Sequence, residues 1–269
     1  MATDSFLSRF VGLARQHLGE PPCNSAGSLA EARQAVPLLG AQMTVKLAQQ
    51  AAVSLVDEGV EQSEAGRHDE FLRAEPADPH VLGVWEQLQS RAGTRLPPPK
   101  VSDAAELDLG AQAGNQVYLE RKALTNELAV ADQLTFVLAH EMGHVVHHDS
   151  ARRIGIEQAR NLLSSDSLKL GDACRQATRQ MELEADAFAA GLMVGMNCDS
   201  AGLLAKLLSL TAGHEHPDGL QRAEVVRGFL PVSDDIWGAL LEKTATARAI
   251  SRQRDEDEAA FREALTRMH

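Results

Sequence analysis

The chain has 269 residues, of which 44% are hydrophobic and only 4% aromatic, and its formal net charge is −12. An acidic balance with no Lys/Arg-rich block excludes the concentrated basic surface that phosphate recognition needs, so nucleic acid is not expected as a partner. The length supports one enzyme-sized core, or one core with a smaller accessory unit, and the low aromatic content favours helix packing over a β-sandwich.

From the N-terminus, "MATDSFLSRFVGLARQHLGE" reads as an amphipathic helix. Arg9 and Arg15 interrupt the apolar run that a secretory signal would carry. Residues 28–56 place Val36, Leu39, Met43, Leu47 and Val53 near helical spacing, and the pattern then gives way to the polar stretch "DEGVEQSEAGRHDEFLRAEPADPH". That stretch sets the expected organisation: a helical accessory region over 1–75, a main domain over 76–232 and a charged helix over 233–269. Val81, Leu82, Trp85 and Leu88 mark a further helix that must stop before the three prolines of "GTRLPPPK". "NQVYLER" alternates and is the best strand candidate. Helices are expected over 131–149, about 172–195 and 199–211, then a turn at "GHEHPDG", another helix, and a charged helix over 234–265. No stretch reaches the roughly 20 apolar residues of a bilayer span. Cys23, Cys174 and Cys198 are too dispersed for a disulfide framework or a metal knuckle. Cys174 and Cys198 read as small buried residues, and a soluble protein in a reducing cytoplasm is expected.

The chemistry concentrates in "VLAHEMGHVVHHD", residues 137–149. His140 and His144 are four apart and stack on one helix face, close enough to hold one metal ion. Glu141 follows the first histidine, beside the open coordination position, where a carboxylate can take a proton from an attacking water. The apolar "LTFVLA" before the motif predicts a buried helix, and Gly143 leaves room for a neighbouring backbone. No HxxGxxH extension follows, so a third histidine ligand of that kind is excluded. A catalytic zinc site uses three protein ligands, and "RQMELEADAFAAGLM" supplies acidic candidates on a strongly helical stretch. Glu182 and Asp186 share a face and Glu184 points roughly opposite. Glu182 is therefore the expected metal ligand, and Asp186 the acceptor for the free ring N–H of a ligating histidine. Glu184 should face solvent. His147 and His148, about two turns from His140, are expected to lie behind the ligands or at the surface.

"LTFVLAHEMGHVVHHD", "TRQMELEADAFAAGLM" and "HPDGLQR" together resemble the gluzincin metallopeptidases that include the HtpX-like proteases and the CAAX prenyl endopeptidases, over about 95 to 230. The resemblance implies a mainly α (α+β) zincin-type fold with a small β-sheet next to the HExxH helix. It also implies a zinc-dependent endopeptidase holding one Zn²⁺ per chain through His140, His144 and Glu182, acting on protein or peptide substrates. By the same resemblance, Gln116, Val117, Tyr118 and Leu119 would form an edge strand to which an extended substrate adds. His216, followed by Pro217 and with Arg222 downstream, would lie near the site, where the histidine can assist catalysis or block it. His214 is a weaker candidate for that position.

The chain departs from the family pattern in lacking the N-A-x-x-x-P-G-G stretch before the strand and the membrane helices of many relatives. The alternative reading is a latent or inactive metallopeptidase-like binding or chaperone module with the zinc site retained. In that reading, His216 or the region 1–75 occupies the open position. Cys23, in a proline-flanked loop, reads as inert.

Overall fold

Short-range signals define several helix ends. Ser28 caps the second helix through a capping box: the Glu31 amide donates to Ser28 Oγ at 3.2 Å, and the Ser28 amide donates to Glu31 Oε2 at 2.9 Å. Asp78 caps the third by accepting from the amides of His80 and Val81, with Pro79 in the first turn. Gly93, at φ 64°, closes that helix before the prolines are reached. The computed structural model describes residues 3–20, 27–59, 73–103, 110–125, 130–162, 168–210, 213 and 216–267; Cys23, His214 and much of the polar stretch 57–80 lie outside them.

In chain order the helices are α1 (Thr3–Leu18), α2 (Leu29–Val53), α3 (Pro79–Ala92), α4 (Arg121–Thr125), α5 (Ala131–Val146), α6 (Asp149–Leu162), α7 (Leu168–Met193), α8 (Ser200–Ser209), α9 (Gly219–Arg227) and α10 (Asp234–Arg267). The strands are β1 (Glu75–Pro76), β2 (Lys100–Ser102), β3 (Gly110–Ala113) and β4 (Gln116–Glu120), in the order β1-β2-β4-β3. The fold is mainly α with one small sheet, and α5 packs against β3 and β4. β2 runs parallel to β4, while β1 and β3 run antiparallel to their neighbours.

Two apolar cores meet along α7. The first gathers Trp85 of α3, Leu119 of β4, Leu138 and Met142 of α5, Ala189 of α7, Leu204 of α8, Val226 of α9 and Trp237 of α10. The second joins Phe6 and Phe10 of α1, Val36 and Leu47 of α2, Ile156 of α6, and Leu170, Cys174 and Met181 of α7. Two glycines set the closest approaches. A Cβ on Gly143 would stand 3.1 Å from Ala185 Cα, so α5 and α7 nearly touch beside the histidines; one on Gly155 would stand 2.5 Å from the Ala48 carbonyl, so α6 lies directly on α2.

Several expectations need correction. The strand at Gln116, Val117, Tyr118 and Leu119 is internal: β2 and β3 occupy both its edges and all four residues are buried, so no extended peptide can pair with it. The outer strands are β1 and β3. The helix expected over 131–149 ends at Val146; the chain turns at His147 and His148, the latter at φ 57°, and starts α6. Strand β1 straddles the expected boundary at 75, and Trp237 joins α10 to the first core. Cys174 is buried, but Cys198 is half-buried.

Candidate metal centre

Helix α5 is buried over most of its second half because "LTFVLA" and Met142 face the first core, and this carries the histidines inward. His140 and His144 are only 7% and 2% exposed. Their rings stand edge to face with Nε2 atoms 3.1 Å apart. From α7, Glu182 straddles the pair: Oε2 lies 3.5 Å from Nε2 of His140, and Oε1 lies 3.5 Å from Nε2 of His144.

The other ring nitrogen of each histidine is taken by a buried carboxylate. Nδ1 of His140 is 2.9 Å from Asp186 Oδ1, and Nδ1 of His144 is 2.7 Å from Asp149 Oδ2. Each carboxylate is fully buried and held by an arginine. Arg222 from α9 grips Asp186 with two bonds of 2.7 Å, and Arg152 donates to Asp149 Oδ1 at 2.8 Å. An ionised carboxylate accepts, so both Nδ1 atoms carry the proton and both Nε2 lone pairs face each other and Glu182.

That arrangement is repulsive unless a cation or an extra proton sits among the three groups. The protonation tendency reflects it. Burial opposes the charged form of His140, yet its bonds to Asp186 and Glu182 overcome this and push its pKa up to about 10. Burial likewise opposes ionisation of Glu182, but the His140 and His216 contacts hold its carboxyl well below the usual carboxylate range. Asp186 is also held low: Arg222 and then His140 outweigh the cost of burial.

The donor set fits a divalent metal ion. One donor atom from each of His140, His144 and Glu182 lies within 4.8 Å of the others, and all three residues are buried. Donors about 2.0–2.1 Å from a tetrahedral ion stand roughly 3.3 Å apart, close to the 3.1 and 3.5 Å separations found here. With Nδ1 of each histidine fixed by a carboxylate, the tautomer that presents Nε2 is preset.

The remaining expected residues surround this cluster. Glu141 follows His140 at 7% exposure, and its charge is among those that raise the Arg222 pKa, after the bonds to Asp186 that offset burial. His216 reaches in from the loop before α9 and places Nδ1 2.9 Å from Glu182 Oε2, its side chain 59% exposed. That bond raises the ring's pKa above its ordinary value against the opposing effect of burial. Arg179 of α7 holds the same loop by donating to the Gly213 carbonyl. His147 ends α5 and sets its ring edge on Phe188. Glu184, expected to face only solvent, accepts from Arg152 at 2.6 Å and from Gln180.

Sequence reasoning misses Asp149, Arg152 and Arg153. Arg153 brings Nη2 within 3.5 Å of Glu182 Oε1. Asp149 stands five residues after the second histidine, where the chain turns back under the ring, a turn that the histidine run "VVHHD" does not announce. Asp149→Ala is expected to lower metal affinity about 10–100-fold while the chain stays folded, because Arg152 keeps Glu184 as a partner. Competition with a chelator of known affinity measures it, and an unchanged affinity would remove Asp149 from the support of His144.

Among the described residues, no helix is long and apolar enough to cross a membrane. No curated protein and no solved structure matches the chain. The model of peptidase family M48 matches residues 108–229, a segment that includes α5, the turn to α6, all of α7 and the His216 loop. This matched segment, which is similar to peptidase family M48, holds every residue of the metal cluster.

Proposed function

We propose that the protein is a zinc-dependent metalloendopeptidase that hydrolyses peptide bonds of protein substrates. The observation that carries this reading is the convergence of two Nε2 lone pairs and one carboxylate, each histidine locked by its own buried aspartate. Two imidazoles and one carboxylate suit zinc, which when bound supplies a Lewis acid to polarise the scissile carbonyl and ease deprotonation of water. Around it, His140, His144 and Glu182 act as ligands. Asp186 and Asp149 orient the rings. Glu141 takes the proton of the attacking water and returns it to the leaving amine. His216, on the exposed side of the cluster, hydrogen-bonds the oxygen that builds up on the attacked carbonyl.

One observation favours the latent reading: His216 holds one oxygen of the very carboxylate that serves as ligand. A single experiment separates the two. Elemental analysis of the purified chain should give about one zinc per native chain and almost none for His140→Ala. The native chain should cleave an unfolded protein, and a chelator should stop it. Zinc without cleavage would favour the latent module; no metal in either chain would overturn both readings.

A further inference from the structure

Four arginines stand round the metal cluster, and two of them have carboxylates of their own. Arg222 is held by Asp186, and Arg152 by Asp149 and Glu184. The other two are not so placed. Arg153 of α6 makes one ion-pair contact among the described residues, 3.5 Å from Oε1 of the ligand Glu182, and its side chain is 39% exposed. Arg179 of α7 stands three residues before Glu182 and so on the same face. It donates from Nη2 to the Gly213 carbonyl and meets no carboxylate among the described residues.

Both also carry an Nε–H that is shut off from solvent and has no hydrogen-bond partner among the described residues. A buried donor on a charged group is costly to leave unpaired, so two of them on one flank of a metal ligand point to an acceptor that the substrate brings. The charges say of what kind. Glu182 and Glu141 offset the charge of a divalent ion, and the ion takes up the carboxylate that faces Arg153. Arg153 and Arg179 then leave two uncompensated positive charges on the exposed flank of the site, which His216 also borders.

Resting on the peptidase reading above, we propose that Arg153 and Arg179 bind a carboxylate of the substrate beside the scissile bond and so make the enzyme selective for acidic peptides. A guanidinium offers parallel N–H donors to the two oxygens of a carboxylate, and such charge-assisted pairs are stronger than neutral ones. Arg153 contacts a ligand of the ion, so the group it binds belongs to a residue next to the bond that the ion polarises. The carboxylate comes from an aspartate or glutamate side chain or from the C-terminus of the peptide, which a guanidinium recognises alike. Neither arginine takes part in bond breaking, so their loss removes selectivity and leaves the chemistry.

Peptide binding to the zinc-loaded Glu141→Gln chain, followed by fluorescence anisotropy, tests this without cleavage. The probes are an acetylated, amidated peptide with a single glutamate, its glutamine twin, and the glutamine peptide with a free C-terminal carboxylate. At least one carboxylate peptide should bind about 10-fold tighter than the neutral twin, and which one does so names the source. Arg153→Met and Arg179→Met should each cut that advantage about 3-fold or more and together abolish it, with zinc content and binding of the neutral twin unchanged. Arg153→Lys should keep part of it. With Glu141 in place, kcat/KM should follow the same order. If that chain cleaves nothing while the binding preference holds, the peptidase reading fails and the carboxylate site stands. Equal binding of all three peptides, or binding of none, would overturn the proposal. So would a preference that survives both methionine changes, which would put the carboxylate on the ion, or an Arg153→Met chain that loses its zinc, which would make the arginine a support for Glu182.

Discussion

Glu141→Gln is expected to hold metal at the native stoichiometry and to lose about 10²–10⁴-fold in cleavage rate. The two halves of this expectation have separate origins. Glu141 is not among the three residues whose donor atoms cluster, so its carboxylate is not needed for binding. It follows His140 directly, about 100° round the helix from it, and is buried to 7% exposure beside the cluster. Glutamine keeps its shape and can still accept hydrogen bonds, but it cannot take a proton. Stability should move by less than about 1 kcal/mol, since no packing volume changes. Elemental analysis together with initial rates on an unfolded protein substrate checks both halves at once. Cleavage within about 10-fold of native would move the base elsewhere, and loss of metal would make Glu141 a ligand.

How much of this site is legible in the sequence depends on how many turns of chain separate its parts. His140 and His144 lie on one helix, and the apolar run before them says which way that helix faces. Glu182 and Asp186 share a face of a second helix with the apolar "AFAAGLM" after them, so their common direction follows from spacing and their burial from that run. Asp149 does not follow, because His148 takes a left-handed conformation and sends the chain back beneath His144. A run of histidines reads as more helix, and nothing in it marks the turn.

The sheet is hidden for a related reason. Alternation in "QVYLE" reveals a strand, but its place in the sheet depends on β2, three residues beside a proline run, and β3, "GAQA", neither of which has an apolar period. The packing of α2 on α6 is equally silent, because it depends on one glycine among many, Gly155, lying against the Ala48 backbone. The helices that bury large side chains can be read, whereas contacts made by small residues and short strands cannot.

Asp186→Ala is expected to be the most damaging single change at the site, for stability as well as for metal binding. Asp186 is fully buried and accepts two bonds of 2.7 Å from Arg222, whose side chain is only 12% exposed. This pair ties α9 to α7. Removing the carboxylate leaves a largely buried guanidinium without its hydrogen-bonded counter-charge, a situation that typically costs about 3–5 kcal/mol, lessened here by the more distant charges of Glu182 and Glu141. The same change frees Nδ1 of His140, so the ring loses both its tautomer preference and its fixed direction, lowering metal affinity by about a further 10–100-fold. Denaturant unfolding of metal-free protein isolates the first effect, and chelator competition on whatever folds gives the second. Arg222→Met in the Asp186→Ala background should recover part of the lost stability, since it removes the stranded charge and keeps the bulk. If Asp186→Ala unfolds within about 1 kcal/mol of the native chain, water reaches Arg222 and the α7–α9 tie is not electrostatic. If stability falls while metal affinity stays native, Asp186 serves the fold alone and His140 is oriented by its packing against Phe136.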